Sequence, residues 1–441
     1  MQRSAANARR AERRYEIFIQ RNLTRNFMAH LFHGMLGQTG FRFINAPTFI
    51  PAYLLMLSGG SNLLVGAALA LQGLGQMLTP LVGANLISHR ARVLPIGFIT
   101  GTLMRSCVLL MGLAGFFMED DLLLVTMMVL LMFFGLLEGM QGVIFNYLMS
   151  KVIPVSKRGR LTGFRNFFAG TTAAAVAYIG GTYLIGTEPS IAGYSWMFIL
   201  AFVLTAIGLL MLFGVREPEP PVVKPRLSLV LQLREVPNLL RAEKTFQRFI
   251  VARTIATTGR MAMPFYILYA GQTIGLSGAI LGILTFAFTI SGTVSNLFWG
   301  YIADQRGFRR VILLTGSLWI IATLMLLASS SLTMIILVFA GIGAAVQGFE
   351  QAARNIVLEF GDRQNLPVRI ALANSVSQLS GSLGPLAGGV MASLLGYEYV
   401  FMTSVLFLAM GAALILFRIP EPRDEVGSLS PVNPVMNNSI R

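Results

Sequence analysis

Apolar residues run along this chain in long blocks with no polar face. The stretch "LLLVTMMVLLMFFGLL", residues 122 to 137, is apolar all the way round a helix. A half-buried strand alternates in polarity and a surface helix keeps a polar stripe, so such a block predicts an element buried on every side. Twelve blocks succeed one another, with cores at residues 27–57, 61–86, 94–117, 122–150, 163–186 and 194–214, then 247–271, 277–302, 311–329, 333–357, 370–394 and 397–417. Crossing a hydrocarbon layer about 30 Å thick takes about 20 residues of helix. The pattern predicts an all-α membrane protein with twelve transmembrane helices, numbered here as spans 1 to 12. A closed β-barrel would instead show short segments of alternating polarity.

Polar residues fill the gaps, and their signs differ by side. The connections after spans 1, 3, 5, 7, 9 and 11 contain no Lys or Arg, while Glu119, Asp120, Asp121 and Glu188 occur there. The other connections and the N-terminus hold Arg9, Arg10, Arg13 and Arg14; His89, Arg90 and Arg92; Lys157, Arg158 and Arg160; and Arg306, Arg309 and Arg310. Positive connections stay inside, so both termini are expected in the cytoplasm. Short outer loops without a glycosylation sequon suit a bacterial inner membrane.

Composition agrees with this setting. Of 441 residues, 55% are hydrophobic and 12% charged, and the mean hydropathy is +0.68. The net charge of +15 is accounted for by topology and anionic inner-leaflet lipid, so nucleic acid is not an expected partner. The first block is too long for the apolar region of a signal peptide, and span 1 itself is expected to direct insertion. The single cysteine, Cys107, excludes an intrachain disulfide framework, and three histidines without ligand spacing offer no metal site. No nucleophile with its base, phosphate loop or nucleotide motif is present. These features exclude enzyme chemistry and ATP-driven pumping, and no cofactor is expected.

The chain also repeats itself. Pro47 and Gly83 stand 217 residues before Pro264 and Gly300; "GYSWMF" (193–198) answers "GYEYVF" (396–401), and "REPEP" (216–220) answers "IPEP" (419–422). The expected organisation is a basic N-terminal segment (1–26), a six-helix bundle (27–216), a linker (217–246), a second six-helix bundle (247–418) and a tail (419–441). Within the linker, "LSLVLQLREVPNLL" is amphipathic and reads as a helix on the membrane surface.

Between spans 8 and 9, "GYIADQRGFRR" (300–310) carries the signature Gly-x-x-x-Asp-x-Arg-Gly-x-Arg-Arg/Lys and resembles the major facilitator superfamily of secondary transporters. The resemblance covers about residues 24 to 420. It implies two pseudo-symmetric bundles rocking around a central site near the bilayer midplane, with spans 1 and 7 lining the cavity. It also implies gating roles for Gly300, Asp304, Arg306, Gly307, Arg309 and Arg310. The first-half counterpart, "GANLISHRARV" (83–93), keeps Gly83 and the basic residues but has Ile87 where Asp304 stands, so it lacks that aspartate latch. Helix-bending and close approach are expected at "SGSLGPLAGG" (380–389) in span 11. The tracts "GGTYLIG" (180–186) and "AGGVMASLLG" (387–396) read as small-residue packing seams.

Charges inside the spans are the candidate chemistry. Arg42, in "TGFRFINAP", lies 15 residues beyond Phe27, roughly 22 Å along a helix. Arg260 lies at a similar depth in span 7, and the two could clamp one anion from opposite halves. Arg105 and Glu138 share a depth and are expected to pair, either structurally or in proton coupling. Glu350 and Arg354 stand one turn apart near the inner end of span 10 and Arg253 is also shallow, so this group is expected to balance itself locally. The positive charge left over would cost several kcal/mol unless hydrated or paired. An anionic substrate group with bidentate geometry would supply the counter-ion; a solvated or backbone-bonded structural role is the other reading.

Glu138 separates two kinds of transport. Drug/proton antiporters of the superfamily carry an Arg three residues before a Gln-Gly in span 4, and here "LLEGMQGV" has Glu138 at that place. Span 5, "GTTAAAVAYIGG" (170–181), lacks the antiporter Gly-Pro, although span 11 has one, and both departures weaken an assignment to multidrug efflux. Further cavity candidates are Asn45, Asn146, Gln347 and Gln351, with Phe41, Phe43 and Tyr266 as an aromatic wall. Arg165, in the loop "PVSKRGRLTGFRN" (154–166), and Asn374, in "LPVRIALAN" (366–374), are candidates to bind carbonyls at facing helix ends when the inner gate shuts. The expected function is proton-coupled secondary transport of a small organic anion or acidic amphipath by a monomer in the bilayer. Efflux of hydrophobic compounds, or a non-transporting sensor on the same fold, are the alternatives.

Overall fold

The computed structural model describes residues 2–219, 240–360 and 366–421, and among them there are helices and no strands. The amphipathic stretch of the linker lies outside the described residues except for Leu240, and so does the tail beyond Glu421. A first helix, Gln2–Arg21, precedes the membrane part.

The first span of each half is broken. Span 1 is Leu23–Asn45 followed by Phe49–Leu57; span 7 is Lys244–Thr258, a 3-10 turn Gly259–Ala262, and Met263–Ile274. Pro47 sits in the first break and Pro264 just past the second, because proline lacks an amide hydrogen and its ring crowds the preceding turn. Span 2 is interrupted the same way, as Asn62–Leu78 and Pro80–Ser88. Spans 3, 4 and 6 are Leu94–Phe117, Asp120–Val152 and Ile191–Leu210, and span 5 is Val155–Gly180 with a π turn Gly181–Ile185. Spans 8 to 12 are Gly278–Arg306, Phe308–Leu327, Leu332–Asn355, Leu366–Leu394 and Tyr397–Arg418. Among the described residues nine of the twelve, span 2 counted across its interruption, are long and apolar enough to cross a membrane. The other three are spans 1 and 7, cut by their breaks, and span 11, diluted by Ser, Gly and Asn.

Residues 155–166 and 366–374, expected as connections entering spans 5 and 11, are already helical. A helix need not end at the hydrocarbon boundary, and the basic residues of its first turns project beyond it. On the opposite face, Ser61, Ser190, Ser277 and Ser331 accept hydrogen bonds from the amides of Leu64, Gly193, Ile280 and Met334. These caps satisfy the exposed donors at the start of spans 2, 6, 8 and 10.

The repeat is visible in the chain-end face of each half. Glu217 accepts from Val93 N at 2.8 Å and Leu94 N at 2.9 Å, and meets Lys151 Nζ at 2.5 Å. A carboxylate there answers the positive end of span 3. In the second half the Glu421 carboxylate lies beside Gly307, the residue before span 9. Gly307 has φ +83°, a conformation glycine adopts at little cost. Arg309 then reaches back to the Ile415 and Leu416 carbonyls at 3.3 and 2.6 Å, tying spans 9 and 12 together.

The halves meet mainly along spans 2 and 11 and spans 5 and 8. The two small-residue tracts are indeed seams, and they join the halves on the face away from the chain ends. A Cβ on Gly66 would overlap the Pro385 carbonyl, one on Gly389 the Asn62 carbonyl, and one on Gly181 the Gly278 carbonyl. Gly278 N donates to Gly186 O at 2.7 Å, Thr48 and Thr285 hydroxyls meet at 2.7 Å, and Tyr397 donates to Asn62 at 2.6 Å. Towards the chain ends, Asn146 and Asn374 are exposed.

Candidate substrate and proton site

A cavity of about 170 Å³ lies between the halves at the level of the two helix breaks. Asn45, Pro47, Gln72 and Gln76 line it from the N-terminal half, and Arg260 and Pro264 from the other. Gln72 and Gln76 stand one turn apart on span 2 and so share a face. Asn45 is the last residue of the first piece of span 1, placed there by the break.

Glu138 sits one hydrogen bond behind this wall. Its Oε1 accepts from Asn45 Nδ2 at 2.9 Å and its Oε2 from Gln76 Nε2, while Asn45 Oδ1 accepts from Gln72 Nε2 at 2.8 Å. Glycines make this possible: Gly135 and Gly139 of span 4 pack against the Gln72 and Gln76 carbonyls, with no room for a Cβ. All four residues of the network are joined through neutral amides. The expected pairing of Arg105 with Glu138 is not made. Arg105, 2% exposed, donates to Thr205 O at 2.6 Å and Gly101 O at 2.8 Å and lies 5.2 Å over the Phe41 ring. Equal depth fixed the level of the two residues but not their azimuth: Arg105 turns to span 6 and Glu138 to spans 1 and 2.

Arg260 also has a partner that its depth did not reveal. Its Nη1 meets Glu350 Oε1 at 2.6 Å, so Arg260 joins the group of Glu350, Arg354 and Arg253. Arg354 donates instead to the Glu350 backbone carbonyl at 3.1 Å. Arg42 differs from both arginines. It reaches Thr293 Oγ1 at 3.3 Å and Asn166 Oδ1 at 3.4 Å, two neutral acceptors, one of them in the opposite half.

The remaining candidates scatter. Tyr266 is 1% exposed, and its hydroxyl is held by Thr323 at 2.8 Å and Trp319 Nε1 at 3.0 Å, so it belongs to the core of the second half and not to the cavity wall. Gln347 packs over Gly292, and Gln351 approaches Gly300, both against span 8. Phe41 lies under Arg105; the Phe43 side chain lies outside the described residues. Asn146 and Asn374 are exposed without a hydrogen bond among the described residues, and Arg165 Nη1 lies 3.6 Å from Met149 Sδ in its own half. Gly300, Asp304, Arg306, Gly307, Arg309 and Arg310 cluster at the junction of spans 8 and 9. Gln72, Gln76, Asn166 and Thr293 were not singled out from sequence; the spacing of the two glutamines in an apolar helix was the available signal.

The geometry is that of a membrane carrier, with two like halves, a central polar site and no reactive constellation among the described residues. Comparisons with known proteins agree. The chain is 30% identical to Multidrug resistance protein D of Escherichia coli over 193 residues, 42% of this chain and 48% of that protein. It is 26% identical to Multidrug resistance protein MdtG of Enterobacter lignolyticus over 168 residues, 36% of this chain and 39% of that protein. The matched stretches thus span half or less of these relatives. Among solved structures, a D-xylose–proton symporter superposes with a TM-score of 0.69 at 14% identity, covering 91% of this chain and 99% of the symporter. A point mutant of the nucleoside transporter NupG superposes at 0.67 with 12% identity, covering 88% of this chain and 98% of NupG. The family model of the Major Facilitator Superfamily matches residues 31–259 and again 248–435, and the chain belongs to that family of transporters.

Proposed function

We propose that this protein exports small amphipathic molecules in exchange for protons. With positive connections inside, the exposed Asn146 and Asn374 lie towards the cytoplasm, where a substrate for export would enter. Glu138 carries the reading: a carboxylate beside the cavity held by neutral amides. An amide donates through nitrogen to an ionised carboxylate and accepts through oxygen from a protonated one. Reorienting Gln76 or Asn45 therefore serves both states, as a guanidinium partner would not. Prolines, Ile50, Leu69 and Met263 in the wall offer apolar surface to a substrate body. The relatives named as multidrug resistance proteins support the same reading.

Arg42 favours a second reading, transport of an organic anion, because its described acceptors are neutral and distant enough to be displaced. The two-arginine clamp is weakened, since Arg260 already holds Glu350. Proteoliposomes loaded with fluorescent neutral, cationic or carboxylated amphipaths discriminate the readings. An imposed pH gradient is expected to accelerate flux of the neutral or cationic probes in wild type, and Glu138→Gln to keep exchange while losing the acceleration. Gradient-driven flux at the wild-type rate in Glu138→Gln would remove the proton role. Flux of carboxylated probes alone, lost in Arg42→Ala, would put the anion reading first.

A further inference from the structure

Inside the N-terminal half, four polar side chains that the transport site does not use lie close together. His30 and His33 stand nearly one turn apart on span 1, Arg105 is on span 3 and Arg165 on span 5. His30, His33 and Arg105 are 1%, 5% and 2% exposed. Arg105 commits Nε and Nη1 to backbone carbonyls, yet its Nη2 has no acceptor among the described residues. The same holds for Arg165 Nε, and both ring nitrogens of His33 are without a hydrogen-bond partner. No Asp or Glu among the described residues forms an ion pair with either arginine.

Gly37 marks where two of these groups converge. A Cβ built on it would lie 3.7 Å from Arg105 Nη2 and 3.9 Å from His33 Nε2, with no other atom within 4 Å apart from its chain neighbours and its own helix backbone. A guanidinium buried with no opposing charge is costly. Water would accept these N–H groups but brings no charge. A halide brings both, needs no donor of its own, and accepts from several N–H groups at once. We propose that a small inorganic anion of halide type, chloride in the cell, is bound between Arg105 and His33 above Gly37, as a counter-ion distinct from the transport cavity.

The test uses the full chain in detergent, with thermal unfolding followed in potassium chloride, bromide and gluconate at equal ionic strength. Wild type is expected to unfold several degrees higher in either halide than in gluconate, with a shift that saturates with halide concentration. Gly37→Ala adds a Cβ at the shared point without overlapping any atom of another helix, so it is expected to fold and to unfold at one temperature in all three salts. Equal unfolding of wild type in halide and gluconate would overturn the site. So would a halide shift that persists undiminished in Gly37→Ala. Should Gly37→Ala fail to fold, bromide-soaked wild-type crystals decide: an anomalous peak between Arg105 Nη2 and His33 Nε2 supports the site, and its absence refutes it.

Discussion

Arg260 and Glu350 meet at 2.6 Å, tying spans 7 and 10 at the cavity edge. Both are partly exposed, at 34% and 23%, so water softens their attraction without removing it. Arg260→Met leaves the carboxylate with only Arg354 and Arg253 acting on it and is expected to cost about 2 kcal/mol, between surface and fully buried pairs. The double variant Arg260→Met, Glu350→Met should recover more than half of that. Thermal unfolding of the four proteins of the cycle checks it; additive losses would mean the two residues are not coupled.

Glu217 and Lys151 form a deeper pair, 3% and 5% exposed at 2.5 Å. Glu217→Gln keeps the shape but leaves the ammonium without its counter-charge and weakens the acceptor for Val93 and Leu94. A loss of about 3 kcal/mol is expected, read as a lower unfolding temperature. Glu219, which meets Arg92 with both side chains about two-thirds exposed, serves as the control: Glu219→Gln should change stability by less than about 1 kcal/mol.

The far face closes because glycines let backbones touch. Gly66→Val or Gly278→Val places a side chain where a carbonyl of the opposite half stands, so that closure should fail. Ile50, 2% exposed on the cavity wall, is a reporter. In a Cys107→Ser background, Ile50→Cys should react several-fold faster with a membrane-impermeant maleimide applied from that face when either valine is present. An unchanged rate would show that the seam does not hold the face shut.

Thr48→Val tests the same closure more gently. It removes one hydroxyl of the buried pair across the halves, while Thr285 keeps its bond to Leu281 O at 2.6 Å. The expected cost is about 1 kcal/mol to the closed face alone, roughly a fivefold change in its population. Ile50→Cys labelling in this variant should fall between wild type and Gly66→Val.

Much of the architecture was legible because the membrane imposes it. Apolar blocks gave the spans, and the 217-residue offset of Pro47 and Pro264 anticipated two repeated halves, though not the helix breaks at those prolines. The site was less legible, since position along a helix sets depth but not direction. Arg105 and Glu138 share a level yet face different neighbours, and Arg260 finds Glu350 across helices while sequence offered the nearer Arg354. The hydrogen-bonded pairing of Glu138 with Gln76 depends on Gly135 and Gly139 admitting span 2, a contact with no local signature in either segment.

The backbone seam at Gly66, Pro385, Gly181 and Gly278 bears on leakage. A pore plugged by side chains flickers open as rotamers hop, on nanosecond timescales. Carbonyl against glycine has no rotamer to hop, and such an interface is either in register or apart. Partial opening at these contacts is therefore disfavoured, and slippage there should be confined to whole-bundle excursions. A transporter held shut in this way should leak little between turnovers.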